Sequence, residues 1–275
     1  MLTWFSLRNW WWAASTRTGL SKTTPTACSL AVAERRRLLI APDRLGSGPE
    51  VQLSPEEQHY LRRVLRLRCG DVVDVIDGCG HLWGAELREP HRLQLAAEPT
   101  MADGRDGVEL GLAIALIRRG IDDVMRMACE LGVDRIQPLQ CDRCVPQAEL
   151  KPDRWESILR EAVEQCERLW MPELHAVTAF EPWLGSLEAR VVAGVTRVDE
   201  EVPPLRQWLD DHPQPSGTTW LLVGPEGGWS SREATVMERN AVTPVQLGST
   251  ILRSSTAAVA GVVDLVRWRE GQLNS

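Results

Sequence analysis

An apolar run that stops at a glycine-rich corner constrains this chain more than any other feature. Leu221-Leu222-Val223 is followed directly by Gly224-Pro225-Glu226-Gly227-Gly228-Trp229-Ser230. A short continuous apolar run bounded by turn residues reads as a strand buried on both faces, which requires a sheet covered by helices on each side. The glycines remove side-chain bulk, so the loop can bring backbone N–H groups close to a ligand, and Ser230 is placed to cap a following helix. The spacing matches neither the dinucleotide-binding glycine pattern nor the P-loop, so the corner alone fits an ordinary strand-turn-helix connection as well as a site.

A second corner of the same kind follows: Val245-Gln246-Leu247-Gly248-Ser249-Thr250-Ile251-Leu252-Arg253-Ser254-Ser255-Thr256-Ala257, leading into a helix predicted over 257–268. Two loops at the ends of neighbouring strands are the usual way an open α/β sheet builds a site. Upstream, apolar strands are predicted over 110–117, 133–139 and 189–195. Helices are predicted over 122–131 (stopped by Gly132), 154–168 and 204–211. Apolar strands alternating with helices predict a mostly parallel sheet.

The period differs before residue 99. A first strand is predicted over 36–40, then a helix capped by Ser54 with Pro55 and Glu57 in its first turn and continuing over 59–67, then short strands over 72–76, 82–87 and 92–95 joined by a turn over 77–80. Several short strands around one helix predict a small β-barrel. The chain of 275 residues therefore divides into an extension (1–33), a barrel (34–98), a polar linker (99–107) and an α/β domain (108–275). The extension has no acidic residue and carries Arg8, Arg17, Lys22 and the run Trp10-Trp11-Trp12. It reads as a disordered appendage, a start assigned too far upstream, or an organellar transit segment.

Seven cysteines, an odd number scattered from Cys28 to Cys166, are not a secreted disulfide framework and fit a reducing, cytoplasmic compartment, or an organelle if the extension is a transit segment. Cys141 and Cys144 have metal-like spacing but no second recognisable pair, so no metal is expected. No stretch approaches a membrane span. The net charge of -7 is unevenly divided: residues 1–90 carry 12 basic against 10 acidic side chains, and the remainder 19 against 28. Any nucleic-acid footprint is therefore expected on the N-terminal part and on a few placed arginines.

The two glycine corners together resemble the C-terminal signature of the bacterial 16S rRNA (uracil-N3)-methyltransferases, within the SPOUT trefoil-knot methyltransferases. Further matches run in order: Glu130-Leu131-Gly132-Val133 with Ile136 and Pro138, Arg143 and Val145, Arg154-Trp155, Glu161-Ala162, Glu164-Gln165, Arg168 and Pro172. His59-Tyr60-Leu61-Arg62-Arg63-Val64-Leu65-Arg66 with Gly70-Asp71 is similar to the family's signature in its PUA-like barrel. The resemblance covers about residues 35–268 and implies a C-terminal knotted methyltransferase domain with a small N-terminal RNA-binding barrel. It implies S-adenosyl-L-methionine as methyl donor, 16S rRNA in the small ribosomal subunit as partner, and a homodimer. Donor contacts are implied for Leu222, Gly224, Glu226, Gly227, Gly228, Leu247, Gly248, Ile251 and Leu252. The chain departs from the family pattern at Ser255, where an acidic residue is usual, at Arg118-Arg119-Gly120, where a Lys-Gly pair is usual, and at Met127, where lysine is usual.

Uracil N3 starts protonated, so its methylation needs a proton acceptor or a cation beside the ring. Arg253 is expected to stabilise the developing anion, and Glu226 to act as base or orienting group. Arg36, Arg62, Arg63 and Arg66 on the barrel side, with Arg143 and Arg168 beside the knot, are the expected RNA contacts, although Arg62, Arg63 and Arg66 cannot all face one surface. The alternatives are an assembly factor that keeps the pocket with little catalysis, and a methyltransferase for another RNA site.

Overall fold

The computed structural model describes residues 36–46, 48–105, 107–144, 152–196, 201–213 and 217–273. The expectations for 1–33, the first residues of the barrel and Val145 lie outside them.

The N-terminal part comprises β1 (Arg37–Leu39), α1 (Pro42–Leu45), β2 (Glu50–Gln52), α2 (Pro55–His59), β3 (Val72–Ile76), β4 (His81–Arg88), β5 (Arg92–Leu95) and β6 (Met101–Ala102). The strands form one sheet in the order β1-β3-β4-β5-β2, with β6 on β4. Only β1 and β3 are parallel. Leu38, Val73, Val75, Leu87 and Leu93 close on the fully buried Leu61.

Ser54 caps α2 as its sequence predicts: its hydroxyl accepts from Glu57 N while the Glu57 carboxylate accepts from Ser54 N. The helix does not simply continue to residue 67. Tyr60–Val64 forms a π-turn, with Leu65 N donating to Tyr60 O, and the chain leaves it through Arg66 in the left-handed region at φ 57°.

The C-terminal part comprises β7 (Glu109–Ala115), α3 (Ile121–Leu131), β8 (Arg135–Gln140), α4 (Pro152–Cys166), β9 (Glu173–Leu174), β10 (Thr178–Ala179), α5 (Phe180–Gly185), β11 (Arg190–Gly194), α6 (Leu205–Asp211), β12 (Thr218–Val223), α7 (Ser231–Arg239), β13 (Thr243–Val245) and α8 (Ser254–Leu273). Every pairing is parallel, in the order β10-β8-β7-β12-β11-β13 with β9 also on β8.

Alternation along the strands separates two apolar layers. Leu112, Ile114, Leu221 and Val223 meet α3, α4, α6 and α8, whereas Ala113, Trp220 and Leu222 meet α5 and α7. Where β13 ends, the chain is held from two sides. Val245 O accepts from Val195 N on one side, while Gln246 exchanges hydrogen bonds with Pro203 O and Leu205 N on the other. The later segment thus lies between Val195 and Pro203, the two described ends of an earlier connection.

Residues 99–107, expected to be a linker, do not behave as a free tether. Two of them form β6 on the barrel sheet, and Arg105 lies 4.6 Å over the Trp170 ring and within ion-pair reach of Glu109 and Asp134. The barrel is also sewn to α4: Leu39 N donates to Glu164 (2.9 Å), Arg160 donates to Leu39 O, and Arg37 pairs with Glu167. Among the described residues no helix is long and apolar enough to cross a membrane.

Candidate functional site

The C-terminal ends of β11 and β12 and the start of α8 enclose a cavity of about 620 Å³. Both glycine corners reach it. Gly224, Glu226, Gly227 and Gly228 form one wall; Leu247, Gly248, Ile251, Leu252 and Arg253 form the facing one. The loop between β12 and α7 is held open by a second capping box, in which Ser230 accepts from Glu233 N and Glu233 accepts from Ser230 N. The glycines are needed for space: a Cβ on Gly224 would meet the Trp229 indole at 2.8 Å, and one on Gly227 would lie 3.1 Å from Arg143 Cβ.

Of the nine predicted donor-contacting residues, Leu222 alone is absent from this wall. It lies fully buried in the α5/α7 layer because alternation along β12 turns it away from the corner that Val223 enters. Residues that sequence reasoning did not assign also line the cavity: Gly194 at the end of β11, Val195 and Thr196 after it, Trp229, Met237 on α7, and Ala257 on α8. Trp229 stands inside the recognised segment. Gly194 had a usable signal, an apolar strand ending in glycine, but nothing in one sequence tells which strand ends converge.

Arg253 immediately precedes α8, its carbonyl accepting from Ala257 N at 2.8 Å. Its side chain is exposed at the cavity, and no carboxylate of the described residues pairs with it. Arg253 and the helix N-terminus therefore place positive potential at the same end of the cavity. Glu226 is also exposed; its Oε1 accepts from Arg118 N at 3.2 Å, tying the glycine loop to the end of β7. Ser255 lies against Gly120, the glycine of the Arg118-Arg119-Gly120 segment.

Arg143 lines the cavity and donates to Gly227 O at 2.9 Å. Arg36, Arg63 and Arg66 are exposed on the barrel, and Arg62 pairs with Glu89 at 2.7 Å. Arg168, expected beside the knot, packs against the end of α3. Its Nη1 donates to Cys129 O (2.7 Å) and Val133 O (3.0 Å), and its side chain is only 14% exposed. It thus satisfies carbonyls at and just beyond the C-terminal end of α3.

The RNA methyltransferase domain family model matches residues 105–264, and the RNA methyltransferase PUA domain model matches residues 53–99. Ribosomal RNA small subunit methyltransferase E of Synechocystis sp. is 33% identical over 256 residues, spanning 88% of this chain and 83% of that protein. The protein of the same name from Buchnera aphidicola subsp. Schizaphis graminum is 26% identical over 225 residues, spanning 78% and 89%. Among solved structures, the ribosomal RNA small subunit methyltransferase E from Neisseria gonorrhoeae, bound to S-adenosyl methionine, superposes with a TM-score of 0.69 at 26% identity, over 84% of this chain and 97% of that one.

Proposed function

Because this chain belongs to the ribosomal RNA small subunit methyltransferase E family of S-adenosylmethionine-dependent RNA methyltransferases, we propose that it methylates N3 of a uracil in the decoding region of small-subunit rRNA. The observation that carries this reading is the meeting of the two glycine corners beside Arg253 at the start of α8.

The residues present fit the donor. The cavity is of the size that takes a nucleoside-bearing ligand, its apolar wall of Leu247, Ile251 and Leu252 suits an adenosine, and Gly224, Gly227 and Gly228 keep side-chain bulk off the facing wall, where a Cβ on Gly224 or Gly227 would press on Trp229 or Arg143. When bound, S-adenosylmethionine supplies a methyl group already activated on a sulfonium. The protein's task is then alignment and charge stabilisation. Arg253 offers a permanent cation with directed donors to the negative charge that spreads over N3 and the flanking carbonyl oxygens as the proton leaves. Glu226 Oε2 has no partner among the described residues and is the acceptor best placed to take or orient that proton. Arg36, Arg62, Arg63 and Arg66 on the barrel and Arg143 at the cavity contact rRNA in this reading. The enzyme acts as a symmetric dimer, the commonest closed assembly.

The test separates rate from binding. Arg253→Ala lowers single-turnover methylation of small ribosomal subunits on the order of 10²-fold while donor affinity changes little. Recovery of the normal rate at saturating RNA would show that Arg253 only binds a phosphate, and would remove it from the chemical step.

A further inference from the structure

Cys141-Asp142-Arg143-Cys144 stands between β8 and the cavity wall, and methyl transfer does not use its thiols. The four residues close a turn in which Cys144 N donates to Cys141 O at 3.2 Å. Such a turn holds its first and last Cα atoms within about 7 Å, the range a disulfide spans. Cys144 Sγ accepts from Cys141 N at 3.3 Å, so it already lies on the Cys141 side of the turn. Cys144 is half-buried and Cys141 buried.

The two residues between the thiols hold the glycine loop. Asp142 accepts from Ser230 Oγ at 2.5 Å and pairs with Arg232 at 2.6 Å, and its N–H donates to Glu233 at 2.8 Å; Arg143 donates to Gly227 O. Ser230 and Glu233 are the capping box that ends the loop.

We propose that Cys141 and Cys144 form an oxidisable dithiol, a site of disulfide formation by a peroxide oxidant, and that closing the bond loosens the Gly227–Ser230 wall of the cavity. The chemistry has the groups it needs. Hydrogen bonds from the Cys141 thiol and the Cys141 backbone N–H outweigh burial and lower the Cys144 thiol below the ordinary cysteine value, which favours it as the attacking sulfur. The Cys144 thiolate attacks one peroxide oxygen; the O–O bond breaks, hydroxide leaves and takes a proton, and Cys144 becomes a sulfenic acid. Cys141 then attacks the Cys144 sulfur: the S–S bond forms, the S–O bond breaks and water departs. The proton lost by Cys141 goes to the departing hydroxide, which leaves as that water. Two thiols are oxidised by two electrons, and one peroxide is reduced to two waters. The bond draws Cys144 Sγ off the Cys141 N–H, so Asp142 and Arg143 must be reseated on a short covalent ring.

The experiment uses the full reduced chain, stepwise hydrogen peroxide, alkylation of remaining thiols and peptide mass mapping, followed by hydrogen–deuterium exchange of both forms. The expected result is loss of two hydrogens in the peptide carrying Cys141 and Cys144, at a dose where the exposed Cys69 and Cys79 still alkylate. Exchange at Gly227–Ser230 should then be several-fold faster, should return to normal with dithiothreitol, and should be insensitive to peroxide in Cys144→Ser. The proposal is overturned if both thiols alkylate fully while Cys69 and Cys79 oxidise, if the linkage joins Cys129 to Cys166 instead, or if the bond forms with unchanged exchange at the loop. None of these readouts requires donor binding or RNA, so they stand apart from the test of methyl transfer.

Discussion

Gly111 and Trp220 face each other in the register of β7 and β12, and a Cβ on Gly111 would sit 2.3 Å from the indole. The ring lies across the strand and meets Trp183 edge-on at 5.5 Å. Gly111→Ala should therefore destabilise the domain by about 1–3 kcal/mol through overpacking, read as a lower urea midpoint with unchanged slope. An unchanged midpoint would show that Trp220 has room to move. At the cavity, Gly224→Val forces a side chain into Trp229, and calorimetry should find donor affinity reduced at least tenfold in a folded variant; unchanged affinity would take Gly224 out of the donor site. Residues of this kind are partly legible. The glycine corners mark themselves because several glycines end an apolar run, whereas Arg168 does not: an arginine after a helix reads the same whether it faces solvent or reaches back to Cys129 O and Val133 O. Its partners are set by how α4 packs on α3, which one sequence does not display.

The C-terminus of α3 shows how elements are fastened together. Buried Asp134 accepts from Leu110 N (2.8 Å) and Arg269 (2.6 Å), and Arg269 also donates to Gly132 O. This joins β7, the end of α3 and the last helix. Asp134→Ala would leave Arg269 and Arg168 without their carboxylate and should cost about 3–5 kcal/mol by chemical denaturation; a loss below about 1 kcal/mol would mean that water replaces it. In the barrel, burial pushes the Glu57 carboxyl up, but the Arg44 guanidinium and the Ser54 N–H outweigh it and hold it below the ordinary range. A carboxyl depressed in the folded state contributes stability that is present above its unfolded pKa, near 4.3, and lost as pH falls through the folded value. Stability of the wild type should thus fall below about pH 4 more steeply than that of Glu57→Gln; parallel curves would contradict this assignment. Elements were legible where their signals are local. Both serine caps stand where they are predicted, and β5 matches its predicted bounds. Elements defined by partners were not: β2, β9 and β10 have two or three residues and exist only through the strands beside them, α5 contains Pro182 in six residues, and the π-turn at Tyr60–Val64 breaks a helical pattern that its side chains alone support.

The whole molecule joins a PUA-like barrel to a parallel-sheet methyltransferase domain, and the division near residue 99 is visible as a change from short alternating strands to longer apolar ones. What sequence did not reveal is that Leu39, Ile76 and Leu82 of the barrel share an apolar layer with β7 and α4, because those contacts are long-range, Leu39 and Glu164 standing 125 positions apart. Residues 35–275 make one compact unit, so a chain beginning at Ala33 should fold and methylate as the full chain does, and loss of either property would show that the extension is needed. Sedimentation at micromolar concentration should give a dimer; a fully active monomer would count against the proposed symmetric assembly. The central claim concerns the atom that receives the methyl group. Small subunits from a bacterial strain lacking its own family member should be incubated with the purified protein and labelled S-adenosylmethionine, and the rRNA mapped by mass spectrometry. A single new N3-methyluridine in the decoding region is the predicted result, whereas no methyl group in that RNA, or one on a ribose or another base, would contradict the account.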